Sequence, residues 1–149
     1  MKRILFVCHG NICRSPMAEF YLKHLVHQAG RDDEFMIASA ATSREEIGND
    51  IHWGTKEILA EKGIPYSRRK ARQVTAADYD QYDYIITFDS ENKREISRLL
   101  GPDTGHKVHS LLSFVGLKRD VADPWYTGDF TQTYADVERG CQALWQQIQ

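Results

Sequence analysis

Apolar and polar positions alternate along this chain between two rhythms. Short continuous apolar runs are separated by longer stretches in which apolar residues recur every three or four positions. Residues 3–8 form the first apolar run, which predicts a buried strand. Ser15-Pro16 then predicts a helix start, serine as N-cap and proline as first helical residue. Met17, Phe20, Tyr21, Leu25 and Ala29 share one face of that helix, and Gly30 ends it. Residues 35–41 predict a second strand. Asp50 can cap a helix whose face is Ile51, Thr55, Ile58, Leu59 and Lys62, stopped by Gly63. Residues 64–82 are polar and basic and predict a long connection. Residues 84–88, between Asp83 and Asp89, predict a third strand. A helix is expected over 90–100, ending at Gly101, and a short last strand over 107–110. Residues 111–130 predict a loop. The final helix is expected over 131–148, with Tyr134, Val137, Cys141, Leu144 and Ile148 on one face.

Strands that alternate with helices imply a parallel sheet wrapped by helices on both faces, an α/β fold of three layers. Ligands in such folds bind beyond the carboxyl ends of the strands. The loop from His9 to Arg14, after the first strand, belongs there. No repeat, low-complexity tract or linker interrupts the pattern, so residues 1–149 are expected to form a single domain.

Composition narrows the partners. With 42% hydrophobic residues the chain suits a globular protein, and a formal net charge of -2 gives no case for nucleic acid or membrane as partner. The apolar runs are too short to span a bilayer, and the run behind Met1-Lys2-Arg3 stops at His9, so a cytoplasmic protein is expected. Cysteine occurs three times, at Cys8, Cys13 and Cys141. An odd count argues against a disulfide scaffold, and Cys8 and Cys13 lack the paired spacing of a structural zinc site. No metal and no cofactor is expected. Cys141 suits a small buried hydrophobe. Two cysteines in a glycine-containing turn do not.

That turn, Cys8-His9-Gly10-Asn11-Ile12-Cys13-Arg14-Ser15, has the makings of an anion trap with a nucleophile at its base. A connection of this length between strand and helix can curl its backbone N–H groups inward, and the helix N-terminus adds partial positive charge. Gly10 permits unusual backbone angles, and Asn11 tolerates left-handed ones. The planar fork of Arg14 can bind two phosphate oxygens. The same positive surroundings favour a thiolate, and the Ser15 hydroxyl lies within reach of that sulfur. The plainer alternative is a βα turn with a buried cysteine and a surface arginine. Farther on, Asp123-Pro124 is a common turn pair. Asp123 could equally protonate a leaving group while Trp125 and Tyr126 flank an aromatic ring.

Residues 8–15, so close to the N-terminus, resemble the signature of the low-molecular-weight protein tyrosine phosphatases. The resemblance extends through Ser39-Ala40-Ala41-Thr42-Ser43, Gly63-Ile64, Lys70-Ala71-Arg72-Gln73-Val74, Asp83-Tyr84-Ile85, Asp89 with Asn92, and Asp123-Pro124-Trp125-Tyr126. It implies a four-stranded parallel sheet in the order 2-1-3-4 and metal-independent hydrolysis of phosphotyrosine through a cysteinyl-phosphate. It makes Cys8 the nucleophile, Arg14 the phosphate clamp and Asp123 the general acid and then base. His9, Gly10, Asn11, Ile12, Cys13, Arg14 and Ser15 become the phosphate-binding loop, with Trp125 and Tyr126 at the substrate. Cys13 becomes the partner of Cys8 in a reversible disulfide. The implied partners are phosphotyrosine proteins, a tyrosine kinase among them, with inorganic phosphate as product and a monomer or weak dimer as the assembly.

Two positions depart from the family's pattern. Members active on phosphotyrosine often carry an aromatic residue after the Thr-Ser that follows the second strand, whereas here Thr42-Ser43 leads into Arg44-Glu45-Glu46-Ile47. The expected slot is one-sided and acidic at its lip. His9 replaces the apolar residue usual after the nucleophile. Three rival readings stand beside this one. Arsenate reductase needs two further cysteines near the fourth strand, and none lies between Thr75 and Leu112. A phosphate-binding module, or an interaction protein with a fossil site, has no need of Cys8 and Asp123 together with Arg14.

Overall fold

The computed structural model describes all 149 residues, Met1–Gln149. Strands β1 (Lys2–Cys8), β2 (Phe35–Ala41), β3 (Tyr84–Thr87) and β4 (Val108–Ser110) form one parallel sheet in the order β2-β1-β3-β4. The first strand is therefore interior. Val7 pairs with Ala40 on one side and Thr87 on the other, and Cys8 lies opposite Ala41. Both faces of β1 are covered, which is why it reads as an unbroken apolar run rather than an alternating one.

Alternate residues of β1 enter two cores. Ile4, Phe6 and Cys8 join the larger one, with side chains from α1 (Arg14–Gln28) and α6 (Phe130–Ile148). Leu5 and Val7 join the smaller one, with Ile96 of α4 (Ser90–Leu100) and with Val74 and Tyr82, which flank α3 (Ala76–Gln81). Each large apolar side chain so buried contributes roughly 1.5–3 kcal/mol. Two further helices, α2 (Trp53–Glu61) and α5 (Pro124–Thr127), lie in the connections that reach the carboxyl end of the sheet. No helix is long and apolar enough to cross a membrane.

The structure corrects the sequence reading at several element ends. Helix α1 starts at Arg14, one residue earlier than the expected cap, and Ser15 caps nothing because its hydroxyl is engaged by Cys8 and Asn11. Leu22 and Val26 are buried where Leu25 and Ala29 were expected, since α1 is packed between β2 and α6 rather than against one surface. The cap of α2 is His52, whose ring nitrogen accepts from the Gly54 N–H at 3.0 Å. Asp50 instead accepts from the Arg69 N–H and pairs with Lys56.

The stretch expected as connection, 64–82, contains α3, held by a reciprocal cap between Thr75 and Asp78. The stretch expected as loop, 111–130, contains a 3-10 turn at Leu111–Val115 and then α5. A further 3-10 turn, Asp32–Glu34, precedes β2. The remaining ends differ by one residue, within ordinary fraying.

Candidate active site

The connection from β1 to α1 is held from outside by its carbonyl groups. The Cys8 carbonyl accepts from the Thr42 N–H at 2.9 Å, and that of His9 from Ser43 at 3.0 Å. The Ile12 carbonyl accepts from the His52 N–H at 2.9 Å, Cys13 from the Thr55 hydroxyl at 3.1 Å, and Asn11 from the Arg69 guanidinium. No backbone N–H from His9 to Ser15 has an acceptor within the chain. Carbonyls spent on the framework and amides left over make a nest for an oxyanion, placed at the N-terminus of α1.

Asn11 fixes the curl. Its φ of 58° is left-handed, a conformation asparagine tolerates better than most residues. Its amide donates to Ser15 Oγ at 2.8 Å and Ser39 Oγ at 2.9 Å, while its Oδ1 accepts from the Arg72 N–H at 3.2 Å. Cys8 Sγ lies 3.1 Å from Ser15 Oγ. Because Asn11 already donates to that hydroxyl, the serine's own proton is free to turn toward a thiolate.

Arg14 is 1% exposed, and its charge is answered on two sides. One terminal nitrogen donates to Asp89 Oδ2 at 2.7 Å and to the Val121 carbonyl at 2.8 Å; the other lies 3.4 Å from Asp123 Oδ2. Its Nε is buried with no partner. Burial opposes the Arg14 charge, but Cys8, Asp123 and Asp89 outweigh it and hold the guanidinium more basic than usual. Asp123 caps α5, accepting from the Trp125 N–H at 3.0 Å. Capping occupies Asp123 Oδ1 and leaves Oδ2 beside Arg14, so the turn does not use up the carboxylate. Burial, with the charges of Cys8 and Asp123 adding to it, pushes the Cys13 thiol well up.

Cys8, His9, Gly10, Ile12, Cys13 and Arg14 line one cleft of about 80 Å³ together with Asp123, Trp125 and Tyr126. Asn11 and Ser15 lie beneath it, so every residue singled out from the sequence converges on one place. Glu45 and Glu46 complete the rim. Two contributors were not foreseen. Asp89 entered the sequence reading as a strand boundary and, with Asn92, as a match to the family pattern, but with no role at the site; it both caps α4 and anchors Arg14. His52 gave no sequence signal. Its ring stacks on Phe130 at 5.1 Å and meets Trp125 edge-on at 5.7 Å, bracing the wall of the cleft. A larger hollow of about 560 Å³ between α1, β2 and residues 65–67 holds none of the predicted residues. Lys23 there is paired with Glu19, and Asp32 lies against the His27 ring at 3.1 Å. No three His, Cys, Asp or Glu side chains gather to hold a metal ion.

Residues 3–149 match the family model described as low molecular weight phosphotyrosine protein phosphatase. The chain is 40% identical over 151 residues to the low molecular weight protein-tyrosine-phosphatase YfkJ of Bacillus subtilis, covering 100% of this chain and 97% of that protein. It is 36% identical over 148 residues to the human low molecular weight phosphotyrosine protein phosphatase, covering 96% and 93%. The crystal structure of YfkJ superposes with a TM-score of 0.95 at 39% identity, covering 99% of this chain and 94% of that one.

Proposed function

The chain belongs to the low molecular weight phosphotyrosine protein phosphatases, a metal-independent family, and on that premise we propose that it hydrolyses protein phosphotyrosine through a phosphorylated Cys8. The row of unanswered amides from His9 to Ser15, with the Cys8 sulfur beneath it, carries this reading. The amides and Arg14 bind the phosphoryl oxygens. The Cys8 thiolate attacks phosphorus; the P–S bond forms as the P–O bond to the ring breaks. Asp123 gives its proton to the departing phenolate, a step worth roughly 100- to 10,000-fold for so basic a leaving group. Asp123 then takes a proton from water, which attacks phosphorus, and the Cys8 sulfur leaves with its charge eased by the Ser15 hydroxyl. Inorganic phosphate is the product. Trp125 and Tyr126 flank the ring, and Gly10 and Asn11 shape the loop while His9 stands at its mouth. The substrate is a phosphotyrosine protein, with a tyrosine kinase among the candidates.

The test is a pair of variants. Cys8→Ser abolishes turnover while the protein still binds orthovanadate or phosphate, because the nest is made of backbone. More than a few per cent of residual activity would remove Cys8 from the mechanism. Asp123→Asn slows aryl phosphates strongly when the leaving group is basic and little when it is acidic; equal losses across the series would remove Asp123 from proton transfer.

A further inference from the structure

The two lips of the cleft differ in chemistry. One comes from the segment after β2 and carries Glu45 and Glu46; the other comes from α5 and carries Trp125 and Tyr126. Both carboxylates are held in place. Glu45 Oε2 lies 3.0 Å from His9 Nε2, and the Glu46 carboxylate accepts from the Asn49 amide at 2.5 Å. The stem of Glu46 also rests on the phosphate loop, since a Cβ on Gly10 would lie 3.4 Å from its Cγ. Neither carboxylate forms an ion pair with a lysine or arginine, and His9 offsets Glu45 only when protonated. Neighbouring Arg44 is exposed and makes no ion pair of its own.

The aromatic lip is equally open. Trp125 is 57% exposed and Tyr126 81%. Behind Trp125, the His52 ring also meets Trp53 at 5.4 Å, and Trp53 is 70% exposed. Aromatic surface therefore runs outward from the cleft.

A side chain beside a bound phosphotyrosine must pass over one lip or the other. A lysine or arginine is favoured by both, through the carboxylates on one side and the ring faces on the other. A glutamate or aspartate is opposed by both. The lip carboxylates also repel the phosphate itself, a penalty that a neighbouring cation offsets. Resting on the phosphatase reading above, we infer that this site selects phosphotyrosine flanked by lysine or arginine and discriminates against acidic flanks.

The experiment is a set of phosphotyrosine peptides of one length, with Lys, Gln or Glu within two residues on either side. Wild-type kcat/KM should fall in the order Lys, Gln, Glu, with about five- to tenfold between the ends at low salt and less at about 0.5 M salt. The double variant Glu45→Gln/Glu46→Gln should flatten the series. Should that variant fail to fold, Glu45→Gln alone, at an exposed position, should lower the Lys-to-Glu ratio about twofold. Equal rates across the peptides, a preference for Glu, or a ratio untouched by Glu45→Gln would overturn the inference. Failure to hydrolyse any peptide or p-nitrophenyl phosphate would instead overturn the phosphatase reading on which it rests.

Discussion

Cys8 and Cys13 line the same cleft but differ in surroundings. Burial and the negative charges around it keep Cys13 a thiol, whereas Cys8 faces the row of loop amides and Arg14. Peroxide should therefore oxidise Cys8 first, to a sulfenic acid. Cys13 can then displace its hydroxyl, forming a Cys8–Cys13 disulfide with loss of water. We expect peroxide-treated wild type to recover fully with dithiothreitol, and Cys13→Ser to lose activity permanently after equal exposure. Equal recovery, or a mass spectrum without the intramolecular bridge, would refute the pairing. At this scale the sequence was most informative where one residue does one thing. Cys8 and Arg14 could be picked out because spacing and residue type agree, whereas only the family resemblance set Asp123 apart from an ordinary turn residue. Asp89 was opaque because a capping aspartate looks the same whether or not its second oxygen holds an arginine. His52 was opaque because its role depends on Trp125 and Phe130, more than seventy positions away.

Helices α1, α4 and α6 announced themselves by period and punctuation; α3 and α5 did not, being too short for a period to show. Their caps were nonetheless in view: Thr75 three residues before Asp78, and Asp123 before Pro124. Without a following apolar face, the first reads as part of a polar connection and the second as a turn pair. Packing between elements was invisible in the sequence, and Gly140 shows why it matters. It lies within α6, where alanine would ordinarily gain about 1 kcal/mol of helix propensity. An added Cβ would overlap Leu111 Cγ, whose side chain is fully buried in the turn beneath. Overpacking of that kind costs about 1–3 kcal/mol. Gly140→Ala should therefore lower Tm by several degrees, read by calorimetry or circular dichroism. A raised Tm would mean that α6 and the Leu111 turn do not approach this closely.

In the order β2-β1-β3-β4 the chain turns to one side of β1 for β2 and to the other for β3, so strand order switches at β1, and the loop that follows it is the one with unanswered amides. Strand and helix alternation foretold the layers and the end of the sheet to inspect; the order of strands came from resemblance, since apolar runs do not say which neighbours they choose. The molecule's positive charge at that end comes from α1, the loop amides and Arg14. Turnover should accordingly survive EDTA, and rescue by Mg²⁺ or Zn²⁺ after chelation would assign the chemistry to metal ions instead. Arg14 bonds to partners 75, 107 and 109 positions later in the chain. On the ribosome, then, the thiol-bearing loop is made early and its arginine waits unanchored until Asp89, Val121 and Asp123 have emerged. On the proposed mechanism, a chain stalled before Val121 carries Cys8 without Asp123 and without the carbonyl that anchors Arg14. Such fragments should be catalytically silent, so that phosphatase activity in a cell counts only chains whose synthesis has passed that point.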